Sequence, residues 1–144
     1  MSLSNRWYDA HFQEIPRAEC LELLASRPVG RVAYCDLNGP VVLPVNHVVE
    51  GEDIIFRTSP HTELARQIRK GHIAFEVDDF DAGDQSGWSV LMHGSAEFED
   101  AVETRPLDQP EPWADGYRAL IVRITPRLIT GRRVSPRGDA SQVV

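Results

Sequence analysis

The 144-residue chain is short of several things at once. It has two cysteines, Cys20 and Cys35, too few for a disulfide framework or a thiolate metal cage. It has a single lysine, Lys70, among 15 basic residues, so arginine and backbone amides are its main means of holding an anion. Positive charge is itself scarce: 22 acidic residues give a net charge of −7, which argues against broad nucleic-acid binding. No stretch approaches the roughly 20 apolar residues of a membrane helix. No basic-then-apolar leader opens the sequence, so the expected location is the cytoplasm. The histidines His11, His47, His61, His72 and His93 lack metal-ligand spacing, and the carboxylates from Asp78 to Asp84 lack that of a calcium loop. No metal is expected. No repeat or low-complexity block appears. What is present is ordinary for one folded domain: 42% apolar and 26% charged residues.

The first fourteen residues, with Trp7, Tyr8 and Phe12, read as an arm that packs on something. Ile15 to Ser26 reads as a helix with Pro16 in its first turn and an apolar stripe of Cys20, Leu21, Leu24 and Ala25. Strands are expected at Val29–Leu37, Val41–Glu50 and Asp53–Thr58, the first two joined at Asn38-Gly39. Pro44 cannot donate to a ladder, so the second strand is locally open at an edge or bulge. A short helix follows from about Pro60 to Lys70, then strands at His72–Asp78 and Gly87–Phe98. The acidic stretch from Asp78 to Ser86 reads as an exposed loop. Pro106 to Trp113 reads as irregular, and Arg118–Arg133 as one or two last strands. Residues 15–134 form the expected domain, and 135–144 a flexible tail. Three consecutive strands, a crossover helix and long strands with little helix between them make a mainly β chain, α+β by content. The expected fold is a small antiparallel barrel of six or seven strands.

One stretch carries chemistry. Ile54 to Thr62 runs a strand directly into a helix whose expected N-cap is Ser59, followed by Pro60. Amides at a helix start lack internal partners and sit at the positive end of the helix dipole. Arg57 adds a fork suited to phosphate oxygens, and Thr58 and Thr62 add hydroxyl donors. The set suits a phosphate monoester. Asn46, next to a ladder-opening Pro44, offers amide groups to a flat heterocycle. Trp88 and Ser89 open a long strand, where they can close over an aromatic ligand or Trp88 can pack into the core. By strand parity His47 points away from the face that carries Asn46.

Leu43-Pro44-Val45-Asn46-His47, Phe56-Arg57-Thr58-Ser59, Ala74-Phe75-Glu76-Val77-Asp78, Gly87-Trp88-Ser89-Val90, His93-Gly94-Ser95-Ala96 and Ile129-Thr130-Gly131-Arg132-Arg133 occur in that order. The ordered set resembles the pyridoxamine 5′-phosphate oxidase-like flavoproteins, in the group that also includes nitroimidazole-resistance proteins. The resemblance spans about Pro16 to Val134. It implies a split β-barrel and a homodimer with FMN bound in clefts between subunits. It implies a phosphate site at Arg57, Thr58, Ser59 and Thr62, a flavin ring along Val45 and Asn46, and Trp88 and Ser89 arriving from the partner subunit. One departure stands out: relatives carry a lysine in the first turn of the helix, where this chain has Glu63.

The expected function is a flavin-dependent oxidoreductase acting on a small-molecule substrate. The cofactor carries the electron chemistry, and no catalytic side chain is named. Another carrier in the same cleft, a deazaflavin or haem, is an alternative, as is a structural dimer with an empty cleft. Pyridoxamine phosphate oxidation itself would need basic residues for the substrate's phosphate. Arg132, Arg133 and Arg137 are the candidates.

Overall fold

The computed structural model describes residues 12–58, 63–68, 71–100 and 120–135. Along the chain come β1 (Phe12–Glu14), α1 (Arg17–Ala25), β2 (Val29–Asp36), β3 (Gly39–Glu50) and β4 (Asp53–Thr58). Then follow α2 (Glu63–Ile68), β5 (His72–Asp81), β6 (Ser86–Asp100) and β7 (Leu120–Val134). The expected arm up to residue 11, the irregular segment from Pro106 to Trp113 and the tail beyond Ser135 lie outside the described residues.

The seven strands form one antiparallel sheet in the order β1-β7-β4-β3-β2-β5-β6. A further pairing of β7 with β6 closes six of them into a barrel. This is the mainly β antiparallel barrel of six or seven strands expected from the strand pattern, and it is consistent with the split barrel that the resemblance implies. Closure removes the two long edges an open sheet of this order would present.

Local chemistry explains the turns. Between β2 and β3, Leu37 and Asn38 form the two-residue loop, and Gly39, at φ +116°, pairs with Asp36. The Asn38 amide donates to Asp36 Oδ1 at 2.7 Å, an Asx turn. The Asp78–Ser86 stretch differs from its expected loop. β5 runs on to Asp81 and pairs with Ser86 to Ser89. The physical reason is at the tip. The Gly83 amide donates to Asp81 Oδ1 at 2.9 Å, and Phe80 lies over Gly87, which has no side chain to obstruct it. The acidic residues are therefore strand and tight turn.

Pro44 is at an open edge. The His47 amide donates to the Pro28 carbonyl at 3.0 Å, so odd residues of β3 aim their backbone at β2 and even ones away from it. On that far side β4 pairs only from His47 to Glu50. The missing donor of Pro44 thus faces away from β2, beyond the β4 pairing, and costs no ladder bond.

The core is the inner face. Val32, Ile54, Phe56, Phe75, Val77, Val90, Met92, Val122 and Ile124 are fully buried there, with Leu24 and Cys20 of α1. One irregularity sustains it. Along β7 the pairing shifts between His93↔Leu128 and Gly94↔Pro126, leaving Arg127 as an extra residue. A strand's faces alternate with period two, so this bulge lets Val122 and Ile124 before it and Ile129 after it all face inward. Pro126 is tolerated at a bulge for the reason it is excluded from a regular ladder. Gly94 is needed opposite it. A Cβ there would press on the Thr125 carbonyl oxygen and lie 3.0 Å from Ile124 Cγ2. Gly94→Ala is therefore expected to destabilise the protein by about 1–3 kcal/mol, the usual cost of overpacking. Urea unfolding checks this; an unchanged midpoint would mean the strands can part freely at the bulge.

Candidate functional site

Face assignment places the candidate residues. Paired residues share a face, so His47↔Phe56↔Val122 marks the inner side of β3, β4 and β7. Val45 and Thr58 lie on that side, and Thr58 is only 2% exposed. Asn46 and Arg57 lie on the outer side. Extending the β3–β4 register by one residue sets Asn46 opposite Arg57, and by two sets Val45 opposite Thr58. The strand end next to α2 therefore gathers four candidates, two on each face. Ser59 and Thr62, and the side chain of Glu63, lie outside the described residues.

Arg57 is the unusual member. Its Nε is buried and has no hydrogen-bond partner. A buried guanidinium N–H without an acceptor costs free energy, about 1–3 kcal/mol or more. Arg57 is held there because its backbone pairs with Ile121 of β7, and Ile55 and Ile121 beside it are buried. An anionic acceptor would satisfy it.

The other two candidates split. Ser89 is on the outer face and Trp88 on the inner one. Asn46 pairs with Val29, and Asp78 with Ser89. Extending the β2–β5 register by two residues sets Val29 opposite Asp78. One row across the outer face then reads Arg57, Asn46, Val29, Asp78, Ser89. Three strand spacings separate Asn46 from Ser89, roughly 15 Å. Trp88 instead packs against the core, with the Arg27 guanidinium 6.0 Å from its ring centre. Arg27 is held in turn by Asp79, its Nε donating to Oδ2 at 3.1 Å. Trp88 also lines an open groove of about 490 Å³ with Asp79, Phe80 and Ala82 at the hairpin end. Within one chain, Trp88 and Arg57 do not share a face.

The outer face also holds an ion-pair cluster, centred on Arg31 in the adjacent row, that the sequence does not single out. Arg31 Nη1 lies 3.1 Å from Glu76 Oε1 and 3.5 Å from Asp78 Oδ1. The signal was present: Glu76 and Asp78 are two apart in a strand and so must share a face.

The C-terminal arginines diverge. Arg133 forms an ion pair with Glu19 of α1. Arg132, its neighbour in the strand, points to the opposite face. Arg137 lies outside the described residues.

With this geometry in hand, comparison with known proteins is direct. The family model described as pyridoxamine 5′-phosphate oxidase matches residues 16–133. The chain belongs to that family. It is similar to the uncharacterised Mycobacterium tuberculosis protein Rv0080, 32% identical over 128 residues and 84% of each chain. It is similar to a solved FAD binding protein from Mycobacterium smegmatis, 30% identical with TM-score 0.66, over 85% of this chain and 97% of that one. A 5-nitroimidazole antibiotic resistance protein of Bacteroides thetaiotaomicron, titled putative, shares the fold at 16% identity and TM-score 0.69, over 87% and 89% of the chains. The family resemblance expected from the ordered motifs is thereby established. No helix among the described residues is long and apolar enough to cross a membrane.

His47 separates the two faces chemically. It is 5% exposed, its Nε2–H donates to the Leu24 carbonyl at 2.7 Å, and its ring meets Phe75 edge-on at 4.8 Å. Nδ1 is buried without a partner, as suits the lone pair of a neutral ring. Burial pushes the His47 pKa below its usual value, against the opposing pull of the Leu24 carbonyl. His47 is thus a core residue that anchors the last turn of α1 to β3. The folded state favours the neutral ring, so its contribution is fully present above the unfolded pKa of about 6.5. It is lost below that, by up to about 1.4 kcal/mol per pH unit until the folded pKa is reached. His47→Gln keeps a donor for Leu24 and cannot titrate. Urea unfolding at pH 7, 6 and 5 should find wild type losing stability faster than the variant as pH falls; parallel curves would contradict the assignment.

Proposed function

We propose that the protein binds a flavin nucleotide, FMN in its smallest form, on the outer face around Asn46 and Arg57, and works as a homodimeric flavin-dependent oxidoreductase. The observation that carries this reading is the buried, unpartnered Nε of Arg57, which calls for an anionic acceptor beside a strand that carries Asn46. Membership in the pyridoxamine 5′-phosphate oxidase family and the likeness to the FAD binding protein support it. Ser59 and Thr62 complete the proposed phosphate site beside Arg57, and Asn46 marks the ring site, whereas the side chains of Val45 and Thr58 face the barrel interior behind it.

The dimer follows from the same face. Val42 is 60% exposed, Leu128 53% and Leu91 36%, all on the outer side of the barrel. A second copy would cover them, and twofold pairing is the commonest way for a chain to do so. It would also bring its outer-face Ser89 to a flavin whose phosphate is held by Arg57; Trp88, packed against the core, would reach that flavin only from the hairpin end, where it lines the open groove.

When bound, the flavin supplies electron or hydride transfer to a small substrate. The chain's part is to hold the phosphate with Arg57, orient the ring with Asn46, and exclude water with the apolar outer face. Pyridoxamine phosphate oxidation is the less favoured reading. Arg133 is engaged by Glu19, and Arg132 faces the other way, so the two do not converge on a substrate phosphate. A deazaflavin or haem remains the alternative occupant, distinguished by its absorption spectrum.

Arg57→Ala separates phosphate recognition from ring recognition. Charge-assisted hydrogen bonds are worth roughly 1.5–3 kcal/mol, so FMN affinity should fall about ten- to hundredfold. Riboflavin, which lacks the phosphate, should change far less. FAD, which carries a phosphate at the same end of its ribityl chain, should follow FMN. Titrations by flavin fluorescence quenching measure all three. Equal losses for FMN and riboflavin would overturn the role of Arg57.

A further inference from the structure

On the outer face, one guanidinium is shared by two carboxylates. Arg31 Nη1 reaches Glu76 at 3.1 Å and Asp78 at 3.5 Å, and the side chains of the two acids are only 30% and 25% exposed. With both acids ionised the cluster carries a net −1, and its single cation cannot fully offset two half-buried anions. One proton shared between the acids makes it neutral. Glu76 and Asp78 are two apart in β5, share a face and reach the same guanidinium, so ionising one raises the cost of ionising the other.

The position of the cluster gives this proton a consequence. Arg31 pairs across to Pro44 of β3 on one side and to Glu76 on the other. Asp78 sits in the row between Asn46 and Ser89, about two strand spacings, or roughly 10 Å, from Asn46. We infer that Arg31, Glu76 and Asp78 form a proton-holding cluster whose charge tunes flavin binding on this face. The inference rests on the proposed flavin site and adds a regulator to it.

The titration range supports it. Burial first, and then the adjoining Asp78 carboxyl, together raise the Glu76 pKa to about 7 against the opposing pull of Arg31. The cluster is therefore neutral below pH 7 and negative above. The nearest other ionisable groups on this face are His93 of β6 and Arg132 of β7, with Glu14 of β1 beside Arg132; Cys35, His72 and Glu97 and the Arg123 cluster with Glu50, Asp53 and Glu99 lie further along it, and Arg57 is the cation of the proposed flavin site. His93 stands one row beyond Glu76, and Arg132 lies across Ser89 from Asp78. Neither is within the Arg31 bridge.

An anionic flavin nucleotide meets one more negative charge above pH 7. At about 15 Å, the three strand spacings from Asp78 to Arg57, that weakens binding roughly 1.5- to 2.5-fold on a partly hydrated surface. Glu76→Gln keeps a hydrogen-bond donor for Asp78 and removes the titration. The experiment measures FMN affinity of both proteins from pH 5.5 to 8.5. The flavin phosphate titrates in both, so it cancels in the ratio. The expected result is a wild-type affinity that falls about 1.5- to 2.5-fold relative to the variant as pH rises through 7. Linkage is reciprocal, so bound FMN must raise the Glu76 pKa by the same factor, read by ¹³C NMR of the carboxyl in free and loaded protein. A flat ratio, or a Glu76 that titrates near the ordinary 4.3, would overturn the inference. Flavin bound with a flat ratio refutes the tuning alone. No flavin bound at any pH, with Glu76 still titrating near neutrality, refutes the flavin site and the tuning with it.

Discussion

The pairing of β6 with β7 is the constraint on which the rest of the molecule depends. It turns an open sheet into a barrel, and it does so across fourteen paired positions broken once at Arg127. Without that extra residue, strand alternation would turn either Val122 and Ile124 or Ile129 outward. The core would lose one end of its lining. Gly94 permits the close approach, and Pro126 sits where its missing donor does least harm. The faces of every other strand are set by reference to this seam, and with them the place of each candidate side chain.

Two adjacent residues illustrate how sharply the barrel divides chemistry. His47 faces inward, neutral, holding α1 through the Leu24 carbonyl. Asn46 faces outward, in the row of Arg57. The inner face is apolar and closed. The outer face carries Val42, Leu91 and Leu128 beside Arg31, Arg57, Glu76 and Asp78. A face that mixes exposed apolar side chains with half-buried charge fits a ligand that is flat, largely apolar and anionic at one end. That is the physical case for a flavin nucleotide there. The same face, continuous with the open edge at Pro44, is where a second copy would seat.

Much of the fold was legible in the sequence because it is written in local signals. Turn residues and period-two alternation located β2 through β5 to within a few residues, and the parity of β3 separated His47 from Asn46 before any coordinates. Two features escaped. The acidic hairpin reads as a loop because charge density masks alternation; only the Phe80–Gly87 contact and the Asp81 turn reveal the strand. The bulge at Arg127 is a long-range event, produced by the partner strand, and no local pattern announces it. For the site, residue types at the end of β4 pointed to a phosphate. Sequence could not reveal that the Nε of Arg57 would be buried and unpaired, since that depends on its neighbours in β7. Nor did it single out Arg31, whose importance comes from register with Glu76.

The central claim is that the outer faces of two copies together hold a flavin nucleotide. Native mass spectrometry of the protein incubated with excess FMN and then desalted tests it in one measurement. The account predicts a dimer carrying two FMN molecules, with flavin lost when the dimer is dissociated in the gas phase. A flavin-free dimer, or a monomer that retains FMN by itself, would contradict it.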